Sequence, residues 1–247
     1  MKKPVYFLGI ILLVFNSIIA QNTINTDRPD QSDGSHIVET GYLQVESGVQ
    51  FSKDDATKSF DNVTLIRYGV TKKFEIRFIN QYSTIRDDGN SVSGFQPFTI
   101  SFKNQFCDQH GLLPKLTLVS YFKLPITVSP AFKGEHVGFT FTLVARHELS
   151  PKLKLYSNLG VSKDQENLAT SYLETEELNY SITDKLSAYA EYFGNYAIHE
   201  SASNGLDIGF IYALKNNLAI DLALGSPTLN LNVNRFLSFG MSVRMPK

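Results

Sequence analysis

The chain has 247 residues and a formal net charge of −1, and 19% of its residues are charged. This balance excludes a protein that binds nucleic acid through bulk charge, and it argues against wholesale disorder. The mean hydropathy of −0.12 excludes a membrane protein built from several apolar helices, and the single cysteine excludes an internal disulfide. The length suits one large β-barrel or sandwich, or at most two small domains.

The first residues, 1–20, have the organisation of an export signal. Lys2 and Lys3 form a basic start, residues 4–15 are almost wholly apolar, and Ala20 is a small residue at the end. This order is typical of a secretory signal peptide that is cleaved after Ala20. The apolar run is shorter than the ~20 residues that a membrane-spanning helix needs. We therefore expect residues 1–20 to direct export of the chain.

A polar stretch, residues 21–38, follows the signal, and we call it the lead segment. Beyond it, apolar and polar side chains alternate along most of the chain, as in residues 43–51, 74–78 and 98–103. Because successive side chains of a strand point to opposite faces, each such segment is predicted to be a β-strand with one apolar face. No segment has the periodicity of a convincing amphipathic helix.

Short and long connections alternate between these strands. Tight turns of two or three polar residues are predicted near residues 71–73, 150–152, 182–185 and 215–217. Longer polar connections lie near residues 52–60, 85–94, 125–134, 163–169, 197–204 and 226–231. The alternation predicts an all-β fold: an up-and-down antiparallel transmembrane β-barrel of about 12 strands over residues 39–247.

One predicted strand, residues 170–182, lacks a clean apolar face. Glu174, Glu176 and Glu177 fall close together within it, so alternation alone does not fix its register. A β-bulge could shift the register there, or the segment could project beyond the membrane. Both explanations stay open at this point.

Two features favour an outer-membrane barrel over a secreted sandwich with a charged solvent face. The polar faces carry charges of both signs, as the lumen of a membrane barrel does. Tyrosine and phenylalanine lie near strand ends, where aromatic residues seat a barrel in the bilayer. Most segments have 10–13 residues, which is enough to cross a membrane at a tilt. We therefore expect the chain in the outer membrane of a Gram-negative bacterium.

Several motifs resemble an outer-membrane barrel family. They are Asn-Thr-Asp-Arg-Pro-Asp-Gln-Ser at 25–32, Gly-Tyr-Leu-Gln-Val-Glu-Ser-Gly at 41–48, and the stretch from Arg67 through the tight turn to Arg77. The family is named for a transporter of the meta-pathway of phenol degradation. The resemblance runs through most of the chain after the signal. It implies the barrel fold and the outer-membrane location, and the family name implies import of aromatic compounds.

The lead segment is a candidate periplasmic plug. We expect it to fold into or cap the barrel mouth, with Arg28 pairing with a lumen carboxylate such as Glu46 or Glu75. A guanidinium group can donate two parallel hydrogen bonds to a carboxylate, which makes this pairing favourable. The alternative is a lead peptide without a fixed place. The candidate plug residues are Asp27, Arg28, Pro29 and Asp30.

Charged residues on the polar faces are candidates for a lumen constriction. Arg67, Glu75 and Arg77 flank one tight turn and should point inward from neighbouring strands. They could select solutes by charge, or they could form a structural network that neutralises buried charge. The full set of candidates is Arg67, Glu75, Arg77, Glu46, Lys103, Arg146, Glu191 and Asp221.

The function that these observations favour is passive passage of small solutes, with aromatic or hydrophobic compounds as one option. The alternatives are a closed structural barrel without transport and, less favoured, an outer-membrane lipid hydrolase. The five histidines have no serine nearby in a nucleophile motif, and their spacing suits no metal site. We therefore expect no enzyme activity, no cofactor and no metal. The expected partners are outer-membrane lipid and a small solute, not nucleic acid.

Overall fold

A computed structural model describes residues 23–54, 57–198, 202–228 and 234–245. The predicted export signal, residues 1–20, lies outside these ranges. Thirteen strand segments occur in the described ranges: β1 (Leu43–Asp54), β2 (Thr57–Thr71), β3 (Phe74–Asp87), β4 (Asn90–Phe95), β5 (Phe98–Cys107), β6 (Lys115–Leu124), β7 (Gly138–Ser150), β8 (Leu153–Lys163), β9 (Thr170–Ser181), β10 (Leu186–Ala197), β11 (Ser203–Lys215), β12 (Leu218–Ser226) and β13 (Asn234–Met245). A short 3-10 turn, Pro130–Phe132, lies between β6 and β7. Across the same ranges, no helix combines the length and apolar character needed to span a membrane.

The strands pair in antiparallel sequence order and close into a barrel where β1 meets β13. β3 pairs with β4 over one half of its length and with β5 over the other half, so β4 and β5 together form one interrupted barrel strand. The interruption includes Pro97, which lacks the N–H group that a strand ladder requires. The barrel therefore has twelve strand positions, which confirms the fold prediction.

Two of the predicted long connections are shorter than the sequence suggested. β1 and β2 remain paired out to Asp54 and Thr57, and β3 and β4 remain paired out to Asp87 and Asn90. The turn between β3 and β4 contains Gly89 at a φ of 87°, a conformation that glycine adopts readily in a two-residue hairpin. The polar side chains in these two connections do not end the strands, because the backbone N–H and C=O groups are still stabilised by hydrogen bonds to the paired strand.

The ambiguous strand β9 keeps one register along its whole length, so the bulge proposed for it is wrong. It pairs with β8 and β10 without a shift, which places Glu177 inward and Glu174 and Glu176 outward. The outward carboxylates are hydrogen bonded: Ser157 Oγ donates to Glu176 at 2.6 Å, and Tyr196 Oη donates to Glu174 at 3.2 Å.

The two faces of the barrel have opposite polarity. Large apolar side chains such as Phe78, Leu206 and Phe239 are exposed on the outside. The largest fully buried side chains face the lumen, and they include Arg67, Arg244, Lys103, Gln44, Glu46, Glu75 and Glu191. A soluble protein buries its apolar residues, so this reversal is typical of a barrel that lipid surrounds.

Candidate functional site

The lead segment runs inside the barrel. It starts near the short turn between β11 and β12, where the N–H of Ile24 donates to a turn carbonyl at 2.8 Å. It passes along the neighbouring strand β10, where the N–H of Gln31 donates to Glu191 Oε2 at 2.8 Å. It then crosses to β3 on the opposite side of the barrel, where the N–H of Val38 donates to Glu75 Oε2 at 2.7 Å. The lead segment therefore spans the lumen and is bound to the wall at several points.

Asp27 is the electrostatic centre of the lead segment. Its carboxylate lies 2.6 Å from Lys103 Nζ and 3.3 Å from both Arg67 Nη1 and Arg77 Nη1. Its own N–H donates to Glu46 Oε2 at 2.9 Å. Burial opposes ionisation of this carboxyl, but the attraction of the three cations outweighs it and holds the pKa of Asp27 well below its usual value. Asp27 is therefore held as a carboxylate between cations from β2, β3 and β5.

Arg67 joins the wall to the lead segment from a fully buried position. Its Nε lies 2.7 Å from Glu75 Oε1, and its Nη1 lies 2.8 Å from Glu46 Oε1. Its Nη2 donates to the carbonyl of His36 in the lead segment at 3.0 Å. Burial, together with the positive charges of Arg67 and Lys103, lowers the pKa of His36 to about 3. His36 is therefore neutral while the lead segment occupies the lumen.

Arg77 forms a second contact with the lead segment. Its Nη1 lies 3.2 Å from Asp33 Oδ1, and its Nη2 donates to Tyr121 Oη at 2.7 Å. The guanidinium also lies over the Tyr121 ring at 4.9 Å from the centroid. The Tyr121 hydroxyl in turn donates to Asp33. Sequence reasoning missed Asp33, although it lies in the same polar stretch as the predicted plug residues.

Arg28 pairs with a lumen carboxylate, but the carboxylate is Asp221 and not Glu46 or Glu75, which were the expected examples. Arg28 Nη2 lies 3.3 Å from Asp221 Oδ1 and donates to Ser238 Oγ at 2.9 Å, whereas the expected partners, Glu46 and Glu75, are engaged by Arg67. The path of the lead segment carries Arg28 to β12 and to β13, the neighbour of β1, and the order of strands could not reveal this path.

Glycines make room for the Arg28 side chain. Gly48 of β1 and Gly240 of β13 are directly opposed, and a Cβ atom at Gly48 would lie 2.2 Å from the Arg28 guanidinium carbon. At Gly240 a Cβ atom would lie 2.6 Å from Arg28 Nε. Pro29, the next residue, is buried and follows a cis peptide bond.

Asp30 lies in an acidic region of the lumen. Burial raises the pKa of Asp30 well above its ordinary value, and the nearby carboxylates Glu177 and Glu191 raise it further. Among the described residues, Asp30 Oδ1 and both carboxylate oxygens of Asp207 are buried without a hydrogen-bond partner. Asp30 is thus the one plug candidate that faces like charge.

The structure brings seven of the eight predicted lumen residues into contact with the lead segment. These contacts involve Glu46, Arg67, Glu75, Arg77, Lys103, Glu191 and Asp221. The eighth, Arg146, stands apart near the short-turn end, where its Nη2 lies 3.6 Å from the half-exposed Glu148. A further pair, Arg244 Nη1 with Glu39 Oε1 at 2.8 Å, fixes the residue that follows the lead segment.

The lead segment leaves a cavity of about 270 Å³ beside it. The cavity lies towards the short-turn end, between the lead segment and strands β8 to β11, and its lining includes Thr26, Asp30, Lys154, Tyr156 and Glu177. Its volume is at the lower end of the range for small-molecule sites. The lumen is therefore narrowed by the lead segment and is not packed solid.

The fold, the apolar outer face and the charged lumen define a transmembrane β-barrel with a polar interior. Residues 26–245 match the family described as "Putative MetA-pathway of phenol degradation", and the chain belongs to that family. None of the curated proteins compared with the chain matches it significantly in sequence.

Solved structures with the same fold are outer-membrane channels and porins. An outer membrane channel from Pseudomonas putida F1 has a TM-score of 0.69 and 12% identity, with 88% of this chain and 100% of that chain covered. The KdgM porin has a TM-score of 0.52 and 11% identity, with 80% and 98% covered. The NanC porin has a TM-score of 0.55 and 6% identity, with 82% and 100% covered. These likenesses show that the chain shares the β-barrel fold of these proteins.

Proposed function

We propose that this chain is a passive outer-membrane channel for small solutes whose own lead segment closes the lumen at rest. The observation that carries the proposal is the position of Asp27, which lies inside the barrel between Arg67, Arg77 and Lys103. A segment held by side-chain contacts, and not by strand pairing, can leave without breaking the barrel. Release of the lead segment would open the polar lumen.

The proposed organisation follows from this role. Residues 1–20 are removed on export, residues 21–38 act as a plug on the periplasmic side, and residues 39–247 form the barrel. Short turns face the periplasm and longer connections face the cell surface in barrels of this kind. Transport needs no enzymatic activity and no cofactor, because solutes move down their own gradient.

The charged wall residues would act as the constriction once the plug has left. Arg67 and Arg77 would then face the open lumen together with Glu46 and Glu75, and a ring of mixed charge favours small polar or amphipathic solutes. The family name points to aromatic compounds, which can slide past a charged wall by stacking on guanidinium groups. An aromatic solute with a polar substituent fits both considerations.

A closed structural barrel is the second candidate function. It is favoured by the ion pairs of Arg67, whose side chain and two wall partners, Glu46 and Glu75, are fully buried. In a closed structural barrel, the sole role of such a network would be to neutralise buried charge. The two functions differ in whether the lead segment leaves the lumen.

A disulfide lock separates the two functions. Ser32 Oγ in the lead segment lies 2.6 Å from Thr175 Oγ1 in β9, so a pair of cysteines there is within reach of a disulfide. We would introduce Ser32→Cys and Thr175→Cys in a Cys107→Ser background and record single-channel currents in planar bilayers. The oxidised barrel should stay closed, and reduction should restore openings.

The matched control ties two wall strands together and leaves the lead segment free. Ser47 Oγ and Thr64 Oγ1 lie 3.0 Å apart on the outer face, so Ser47→Cys with Thr64→Cys should conduct equally when oxidised or reduced. A barrel without residues 23–38 should conduct continuously. If that shortened barrel is folded and inserted but silent, the chain is a structural barrel and the channel proposal is wrong.

A further inference from the structure

Four basic residues form one row across the outer face of the barrel at the end with the longer connections. Lys53 of β1 lies directly opposite Arg235 of β13 and Lys58 of β2, and Lys58 lies opposite Arg86 of β3. Paired strands are about 4.8 Å apart, so the row crosses four adjacent strands without a gap. Residues two apart share a face, and Phe51, two residues before Lys53, is exposed on the outside.

The row has no anionic partner in the part of the chain that the structure describes. None of the four side chains forms an ion pair or a hydrogen bond with another residue there. Like charges that lie directly opposite each other on neighbouring strands repel and destabilise the sheet. A row of four is therefore expected to recruit an anion from outside the chain.

A groove beside the row has the shape for an amphipathic ligand. It has a volume of about 340 Å³, with Lys53, Lys58 and Arg235 at its rim and the apolar side chains of Phe51 and Leu237 in its wall. Both apolar side chains are on the lipid-facing surface, 47% and 44% exposed. Positive charge and apolar surface thus meet in one site.

The depth of the basic row in the membrane indicates which class of ligand it would meet. Phe51 packs against Phe60 at 5.3 Å and Phe239 at 6.2 Å, and such aromatic belts lie at the headgroup boundary. The basic row follows one step further towards the end with the longer connections. In the orientation proposed above, on which this inference rests, that end faces the cell surface, where the headgroups of the outer leaflet carry their phosphates. An acyl chain reaching down from such a headgroup would contact Phe51 and Leu237.

We propose that Lys53, Lys58, Arg86 and Arg235 bind the phosphate groups of an outer-leaflet glycolipid, with an acyl chain held in the adjoining groove. The site lies on the outside of the barrel and does not depend on whether the lumen conducts. It would fix the barrel's depth and rotation among its lipids by charge-assisted hydrogen bonds to phosphate.

The test titrates the full-length, detergent-folded protein with diphosphoryl lipid A and measures binding by native mass spectrometry. The triple variant Lys53→Gln, Lys58→Gln, Arg235→Gln should bind about 100-fold more weakly, since each basic residue near an anionic headgroup contributes about a factor of five. The control, Lys72→Gln with Lys73→Gln, removes two exposed lysines from the turn at the opposite end, and its binding should be unchanged. The charge-retaining variant Lys53→Arg, Lys58→Arg should bind like the parent.

Three further outcomes would overturn the proposal. Equal binding of the same glycolipid without its phosphates would make the site a merely apolar groove. Inorganic phosphate that binds as tightly as diphosphoryl lipid A would make it a small-anion site without lipid. If the Lys72→Gln, Lys73→Gln control loses as much binding as the triple variant, binding depends on the overall positive charge of the protein and not on this row. Conductance of the triple variant should match the parent, so a failure here is distinct from a failure of the channel proposal.

Discussion

Replacing Asp27 with asparagine should release the lead segment from the lumen. The change keeps the size of the side chain and removes the charge that three cations share. Arg67 retains Glu46 and Glu75, whereas Lys103 Nζ keeps only the carbonyl of Gly34, at 2.7 Å, among its hydrogen-bond partners. The buried ammonium of Lys103 thus loses the carboxylate that balances its charge, and removing one partner of a buried ion pair costs about 3–5 kcal/mol.

We take the lower end of that range because Arg67 and the other arginine at Asp27 remain paired. About 3 kcal/mol shifts the balance between bound and released lead segment by roughly 150-fold. The shift can be read as the labelling rate of a cysteine at Ser35, which is fully buried in the lumen, in a Cys107→Ser background. Single-channel recordings of the same protein should show a matching rise in the open fraction.

The control is Asp184→Asn, which removes an exposed carboxylate from the turn between β9 and β10. It should leave both the labelling rate and the open fraction unchanged. If Asp27→Asn labels no faster than its parent, the three contacts of Asp27 do not hold the lead segment in place. The barrel's folded state is checked in each case by its heat-modifiable mobility in electrophoresis.

Further predictions concern the same contacts. Gly48→Val should raise the open fraction, because its Cβ would lie 2.2 Å from the Arg28 guanidinium and displace it; bilayer recordings would show this. Arg67→Leu should lower the free energy of unfolding in urea by about 3–5 kcal/mol because Glu46 and Glu75 lose their cation, and an unchanged midpoint would contradict this. His36 is neutral when the lead segment is docked, because docking lowers its pKa from 6.5 to about 3. Its contribution to docking is therefore lost as the pH falls through this range. An Asp30→Asn barrel, in which position 30 no longer titrates, should open on acidification. Docking raises the pKa of Asp30 above its ordinary value of 3.8, so the docked carboxyl favours its protonated form. The contribution of Asp30 to docking is therefore lost as the pH rises above 3.8. A His36→Gln barrel, in which position 36 no longer titrates, should open on alkalinisation in the same recordings.

The barrel could be predicted from the sequence because its causes are local. Alternation of polarity is a property of neighbouring residues, and it identified the inward positions of Arg67, Glu75 and Arg77 before any contact was known. The error at residues 85–94 has a local cause too. The polar residues there are typical of a loop, whereas Asp88 and Gly89 form the turn of a hairpin that continues β3 into β4.

The contacts of the lead segment could not be predicted in the same way. Arg28 and Asp221 are 193 positions apart, and no periodicity links them. Which carboxylate receives Arg28 depends on how far the lead segment crosses the lumen, and this in turn depends on the space beside Gly48 and Gly240. The sequence indicated that an arginine would meet a carboxylate, and the three-dimensional path decided which one.

The distribution of charge along the lead segment follows that of the wall. Asp27 and Asp33 lie where the wall supplies Lys103 and Arg77, and Arg28 lies where it supplies Asp221. Such matching stabilises one arrangement, because any shift along the lumen would bring like charges together. Asp30 is the exception, since it faces Glu177 and Glu191. A segment that matched the wall everywhere would be fixed in place, so this mismatch and the buried His36 are the two features that we expect to make its release sensitive to pH.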